Sequence, residues 1–252
     1  MTLTTLFEKL LVISLLAMAI LYFIKDRLPN PALYGESRIE APRQKKSDRK
    51  PFEVEVENER YRITPKYDYV LEGVVVSRHS ADALLDIVHH EEWHDFLNVA
   101  DLCVIWGENV RSGVYREMDF SNGNWTCYYS WPNSSVKQRF RPDQLSNNHL
   151  LTQDDLIGRE IEKAHPGDLV RIEGMLVEYA NPSNGFKRGT STTRNDTGQG
   201  ACETIYVEAF DILKRANALW QSLFAVAKFL FVVSLLALLF LFFASSNQAR
   251  KL

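Results

Sequence analysis

The sequence predicts an α+β protein with a β-rich soluble domain, either an OB-like barrel or another small antiparallel barrel or sandwich, flanked by two transmembrane helices. In the 252-residue chain, the longest uncharged apolar runs lie at the two ends. The middle repeatedly alternates apolar with polar residues, the period of a strand that buries one face. Helix signals in the middle are short and few. We therefore divide the chain into residues 1–27, 28–50, 51–213 and 214–252.

Both terminal runs have the composition of membrane-spanning helices. Residues 10–24 are apolar apart from Ser14, and residues 229–244 are apolar apart from Ser234. A span needs about 20 residues, which each run reaches with its flanking residues. A cleaved signal peptide is the alternative for the first run, but the basic segment that should precede it is nearly absent. We predict two spans, with the lipid bilayer as a partner.

The charges beside the spans bear on the side of the membrane that holds the domain. Basic residues on the domain side outnumber those of the tails: Lys25, Arg27, Arg38, Arg43, Lys214 and Arg215 against Lys9, Arg250 and Lys251. The positive-inside rule therefore favours a cytoplasmic domain. A periplasmic domain stays an alternative, because long domains cross largely regardless of charge. Three cysteines without a clear pairing also fit a reducing compartment.

The middle of the chain predicts a linker followed by strands and two short helices. Residues 28–50 contain three prolines and the run RQKKSDRK, which predicts a polar basic linker. Helices are predicted at residues 81–88 and 152–164, with Ser80 and Thr152 as N-caps. Strands are predicted at residues 52–56, 61–63, 67–78, 101–106, 115–120, 125–131, 168–179 and 203–213. Residues 167–174 (GDLVRIEG) are typical of the strand bend in OB-like barrels.

Several motifs of the domain resemble an uncharacterised group of bacterial membrane-anchored proteins. They are SNNHLL at residues 146–151, GDLVRIEG at 167–174, RGTS at 188–191 and RNDTGQGACE at 194–203. The resemblance is clearest over residues 145–210 and implies a bacterial inner-membrane protein, without a defined activity. The second span departs from the single anchor that we associate with this group.

Three residues predict a possible nucleophilic site. Cys202 lies between a glycine-rich loop and a strand, where a thiol can be held and still be reached. His149 is predicted in another loop beside Asn147, so a Cys–His–Asn relay is conceivable. In the alternative interpretation His149 packs at the start of a strand and Cys202 is a small buried hydrophobic residue. A Cys127–Cys202 disulfide is a further alternative if the domain is exported.

The sequence His90-Glu91-Glu92-Trp93-His94 has the HExxH spacing of zinc peptidases, in which two histidines on one helical face bind the metal. The charges around it favour a polar helix end instead, and we predict no metal site. In the long loop of residues 180–200, Arg188, Arg194 and Asp196 predict an anion site through forked guanidinium contacts. A loop held together by an Arg194–Asp196 pair is the equal alternative. Asn147 is predicted as a further ligand-binding residue.

These observations predict a double-anchored protein of the bacterial inner membrane whose domain binds a ligand or a partner protein, within a complex of membrane proteins. A net charge of −3 argues against nucleic acid as the partner, and no cofactor is predicted. The alternative is an enzyme: a thiol hydrolase using Cys202 and His149, or a zinc hydrolase using the HExxH motif. A purely structural subunit is the third hypothesis.

Overall fold

The computed structural model of the chain describes residues 2–35, 39–80, 94–123, 125–193 and 202–249. It contains two compact units. One is formed by the two ends of the chain, Met1–Arg27 and Asn217–Leu252, and the other is Leu28–Ala216.

The described helices and strands follow in chain order. The α-helices are α1 (Leu3–Tyr22), α2 (Glu108–Arg111), α3 (Ser134–Arg139), α4 (Asp155–Glu162) and α5 (Ala218–Ala249). The strands are β1 (Arg43–Lys46), β2 (Phe52–Val56), β3 (Glu59–Ser80), β4 (Asn98–Ile105), β5 (Asp119–Gly123), β6 (Thr126–Ser130), β7 (Leu145–Leu151), β8 (Leu169–Ala180), β9 (Lys187–Arg188) and β10 (Glu203–Lys214). The 3₁₀ helices are Pro31–Tyr34, Val114–Glu117 and Pro142–Gln144.

The terminal unit is a pair of apolar helices with their small residues inside. Helices α1 and α5 pack together, and Leu3–Tyr22 and Ala218–Ala244 are long and apolar enough to cross a membrane, with mean hydropathies of 1.9 and 2.7. Ser14 and Ser234 are buried, whereas large side chains such as Ile13 and Phe240 are exposed. Small residues at the helix contact and large apolar residues outside suit packing within lipid. The two predicted terminal helices are confirmed.

The other unit is built on a mixed β-sheet that curls into a near-closed ring. Around the ring the order is β3, β4, β7, β10 and β8, and β8 pairs with β3 again. The β7–β10 pair is parallel and the other four pairs are antiparallel. Strands β1 and β2 pair with β3, and β9 pairs with β8. The predicted β-rich domain is confirmed, but its sheet is mixed rather than wholly antiparallel.

The largest core cluster contains the apolar residues that alternate along the ring strands. Leu102, Leu150, Ile172 and Ile205 are fully buried in it. Strands β8 and β10 approach each other closely at Gly174, where a Cβ atom would collide with the carbonyl oxygen of Tyr206. A side chain at this position would push the two strands apart.

The structure differs from the predicted linker at residues 28–50. Tyr34 and Ile39 are buried in the main core cluster, and the Tyr34 hydroxyl donates to the carbonyl oxygen of Gly167 at 2.7 Å. Strand β1, formed by part of the basic run, pairs with β3 in the register Arg43↔Val70 to Lys46↔Tyr67. Proline and charge indicated a tether, whereas two buried apolar side chains attach this segment to the domain.

Other boundaries also differ from prediction. The first part of the strand predicted at residues 115–120 is the 3₁₀ helix Val114–Glu117. Helix α4 is capped by Asp154, whose carboxylate accepts from the amides of Leu156 and Ile157, and not by Thr152. His149, predicted in a loop, lies within β7. The helix predicted at residues 81–88 lies outside the described residues.

Candidate functional site

The candidate site lies on a polar face of the ring. Register places Asp101 of β4 beside His149 of β7, and His149 beside Thr204 of β10. Because side chains alternate along a strand, these three share the face opposite to that of their apolar neighbours. All three are fully buried although they are polar. A polar face that is covered rather than solvated needs specific partners.

Asp101 and His149 form a buried pair. The Oδ1 atom of Asp101 lies 2.6 Å from Nδ1 of His149 and accepts a hydrogen bond from Nδ2 of Asn98 at 3.0 Å. On the other side of the imidazole ring, Nε2 of His149 lies 2.6 Å from Nη2 of Arg188. A guanidinium only donates, so Nε2 accepts and the proton is on Nδ1, directed at Asp101. The imidazole therefore connects a buried carboxylate to a partly exposed guanidinium.

Arg188 is held from two directions. It lies on β9, which pairs with the end of β8 through Tyr179↔Arg188. Its Cζ atom is 3.7 Å from the centre of the Trp125 ring, the geometry of a stacked cation–π contact. The Trp125 ring also contacts His149 at 5.1 Å and Phe186 at 6.4 Å between ring centres. One face of the guanidinium is covered by an aromatic ring, and one of its edges is used by His149.

Trp125 lies at the turn of the β5–β6 hairpin, with a positive φ of 65°. Its carbonyl oxygen accepts from Nδ2 of Asn147 at 3.0 Å and from the Cys202 thiol at 3.6 Å. Two residues further on, Cys127 forms a disulfide with Cys103 of β4, with a Cα–Cα distance of 5.7 Å. The hairpin turn is thus bound to the polar face both covalently and by hydrogen bonds.

The structure brings Cys202, Asn147 and His149 into one region, but not as a relay. Cys202 is a free, half-buried thiol whose Sγ atom lies 3.6 Å from Nδ2 of Asn147. No hydrogen bond joins Cys202 to His149 in the described part of the chain. Burial raises the pKa of the Cys202 thiol, and the Asn147 hydrogen bond and the Arg188 charge lower it by less. The alternative Cys127–Cys202 disulfide is wrong, because Cys127 pairs with Cys103.

A second buried carboxylate lies near the same aromatic group. The Tyr179 hydroxyl donates to Oδ2 of Asp95 at 2.6 Å, and both residues are buried. Burial raises the pKa of Tyr179, and the nearby Asp95 charge raises it further. The Tyr179 ring contacts Phe186, which in turn contacts Trp125.

Four residues of this region were not predicted as site residues from the sequence: Asp95, Asp101, Trp125 and Tyr179. Asp101 had a recognisable signal, because it is a charged residue directly before the buried apolar strand LCVI. Trp125 had none, since a tryptophan in a hairpin is usually explained by packing. Its contacts with Arg188 and Asn147 join segments that lie far apart in the chain.

The remaining predicted site residues belong to the HExxH motif and to the long loop, and most of them lie outside the described residues. Of the HExxH motif, residues 90–93 lie outside the described residues. His94 is half-exposed, with Nδ1 3.0 Å from Oε1 of Glu59. Hydrogen bonds from Asn181, His94 and Ser183 lower the pKa of Glu59. Among the described residues no group of three or more His, Cys, Asp and Glu side chains could hold a metal ion. Arg194 and Asp196 lie outside the described residues.

Comparison of the chain with protein-family models, with curated proteins and with solved structures finds no match.

Proposed function

We propose that this chain is a double-spanning membrane protein whose domain binds a ligand through a carboxylate or phosphate group at Arg188. The observation that carries the proposal is the placement of the guanidinium between the Trp125 ring and Nε2 of His149. A guanidinium has five N–H donors in a rigid fork, and a single hydrogen bond to His149 leaves donors for an anion. Because the stacked side chain is already ordered, little conformational entropy is lost when the anion binds.

We further propose that the ring is OB-like. In chain order its five strands are β3, β4, β7, β8 and β10, and around the ring they follow the order first, second, third, fifth, fourth. The third and fifth strands, β7 and β10, are parallel, and helix α4 lies in the chain between the third and the fourth. OB-folds bind ligands on the face of strands two and three and through the loop between strands four and five. In this chain those strands are β4 and β7, which carry Asp101 and His149, and the loop carries Arg188. The location of the polar face therefore supports a binding module.

The geometry favours binding over a thiol hydrolase. A catalytic thiol needs a base within hydrogen-bond reach and a lowered pKa. Both ring nitrogens of His149 are already engaged, by Asp101 and Arg188. The pKa of Cys202 is raised, so the thiol is protonated at neutral pH.

We propose the bacterial inner membrane as the location, as the motif resemblance implies, with the domain on the periplasmic side. The charges beside the spans favour the cytoplasm, but this rule is weak for long domains. The Cys103–Cys127 disulfide supports the periplasm, because disulfides persist in oxidising compartments and are rare in the cytosol. Association with other membrane proteins remains part of the proposal.

Calorimetric titration of the full chain in detergent with inorganic phosphate and with succinate tests the anion site. We expect Arg188→Ala to weaken binding by about 10–100-fold, since hydrogen bonds to charged groups contribute about 1.5–3 kcal/mol. Arg188→Lys keeps the charge but loses the forked donors, so its anion affinity should lie between that of the wild type and that of Arg188→Ala. Arg60→Ala is the matched control, because Arg60 is an exposed arginine on β3. Equal losses in the Arg60 and Arg188 variants would mean that the anions bind to surface charge only.

Topology is tested on the full chain in bacterial membranes. We expect the protein to resist extraction at alkaline pH, because leucine and phenylalanine at a helix centre each favour insertion by about 0.3–0.6 kcal/mol. Protease added to spheroplasts should cleave the domain while a cytoplasmic marker stays intact. Protection of the domain until the membrane is broken would place it in the cytoplasm.

A further inference from the structure

The β5–β6 hairpin carries Trp125 to the site but does not pair with the ring. It forms a separate two-stranded sheet, joined to the large sheet by no strand pairing among the described residues. An isolated hairpin of this kind is at best marginally stable. Its position must therefore come from side-chain contacts with the rest of the domain.

These contacts differ along the hairpin. Away from its turn, Phe120 and Tyr129 pack against Phe140 with ring centres 6.3 and 5.2 Å apart. Nearer the turn, Nδ2 of Asn122 donates to Oδ1 of Asn147 at 3.1 Å. The one covalent link of the hairpin to a ring strand, within the described residues, is Cys103–Cys127. Loss of the disulfide leaves the turn held only by hydrogen bonds and ring contacts, such as those of Asn147 and Cys202 to the Trp125 carbonyl oxygen. The turn should then loosen while the aromatic end stays packed.

We propose that the Cys103–Cys127 disulfide is a redox control on the Arg188 site. Reduction releases the hairpin turn, Trp125 leaves the guanidinium, and anion binding weakens. This inference rests on the proposed function, and it names how that site is regulated. The reductant is a dithiol, by chemical class.

The burial of the two cysteines decides which sulfur atom the reductant attacks. Cys103 is fully buried and Cys127 is only partly buried, so a thiolate of the reductant attacks Sγ of Cys127. The Cys103–Cys127 bond breaks, and Cys103 leaves as a thiolate that takes up a proton. The second thiol of the reductant then attacks the mixed disulfide, which closes the reductant's own disulfide and releases Cys127 as a thiol. Two electrons pass from the dithiol to the protein.

The test uses the full chain in detergent, labelled with 5-fluorotryptophan, with the Trp125 resonance assigned from a Trp125→Phe sample. We expect dithiothreitol to shift this ¹⁹F resonance and to leave that of Trp106, which is buried in the main core, in place. Phosphate binding should weaken by about tenfold, the factor that a cation–π contact of about 1.4 kcal/mol supplies. Reoxidation should restore both the position of the Trp125 resonance and the affinity for phosphate.

Variants separate this inference from the proposed function. Cys103→Ser should reproduce the reduced state without reductant. Arg60→Ala, at an exposed arginine on β3, should respond to reductant as the wild type does. If phosphate binding depends on Arg188 but neither the Trp125 resonance nor the affinity changes on reduction, the redox control is wrong and the binding site stands. If no anion binds, a shifted Trp125 resonance still supports the release of the turn. Loss of the Trp106 signal on reduction would mean global unfolding and would overturn the inference.

Discussion

At the level of Asp101 and His149, the strands β4, β7 and β10 present polar side chains on one face and apolar side chains on the other, and both sets are buried. One face contributes Leu102, Leu150 and Ile205 to the main core. The other contributes Asp101 and His149, which are just as fully removed from solvent. Alternation of apolar and polar residues normally separates a core face from a solvated face. Here the polar face is covered by the Trp125 turn and by β9.

The two faces are stabilised by different kinds of interaction. Apolar residues on the first face need only neighbours of suitable shape. Asp101 and His149 need specific partners, since a buried polar group without its hydrogen bond costs about 1–3 kcal/mol, and a charged group costs more. The hydrogen bonds from Asn98 and Arg188 meet this requirement. A substitution on the polar face therefore removes hydrogen-bond partners, whereas a substitution on the apolar face changes packing.

The largest effect is expected at the buried carboxylate. Asp101→Ala should lower the free energy of unfolding of the domain by about 2–6 kcal/mol. Two buried donors, Nδ1–H of His149 and Nδ2–H of Asn98, lose their acceptor, and each buried donor left without a partner costs about 1–3 kcal/mol. The substitution should also weaken phosphate binding, because His149, which contacts Arg188, loses its hydrogen bond to Asp101. Urea titration of the full chain in detergent, followed by near-ultraviolet circular dichroism, measures the first effect. Asp143→Ala removes an exposed carboxylate paired with Arg141 and should cost about 0–1 kcal/mol.

The apolar face provides the contrasting variant. Leu150→Ala should cost about 2–5 kcal/mol by leaving a cavity in the main core. Phosphate affinity should stay at the wild-type value under conditions in which the variant is folded. If Leu150→Ala weakened phosphate binding as much as Asp101→Ala does, the two faces would not be functionally distinct.

A smaller effect is expected for the thiol at the edge of the polar face. Cys202→Ser should cost about 1–3 kcal/mol, because the site becomes underpacked and more polar. Since burial raises the pKa of Cys202, iodoacetamide should label the native protein slowly at neutral pH and faster as the pH rises through the alkaline range. Rapid labelling near pH 6 that His149→Ala slows would instead support the thiol hydrolase.

Part of the site could be predicted from local sequence. The sequence predicts four candidate site residues that the structure places in one region: Cys202, His149, Asn147 and Arg188. Their contacts were not predictable in the same way. His149 was expected in a loop because Asn147 and Asn148 precede it, whereas strand pairing with β4 and β10 places it in the sheet. Asn147 was expected to bind ligand, but its amide bonds to Trp125 and lies near Cys202.

Local pattern was sufficient for the features that depend on neighbours in the chain. The uncharged runs of Leu, Phe and Val specify the two apolar helices, and period-two alternation specifies β2, β8 and β10. Both patterns follow directly from which side chains are buried. The pairing of Cys103 with Cys127, the parallel β7–β10 contact and the stacking of Trp125 on Arg188 arise between segments distant in sequence. They depend on which strands close the ring and on which hairpin covers its polar face. Periodicity carries no information about those long-range contacts, since many pairings would bury the same apolar area.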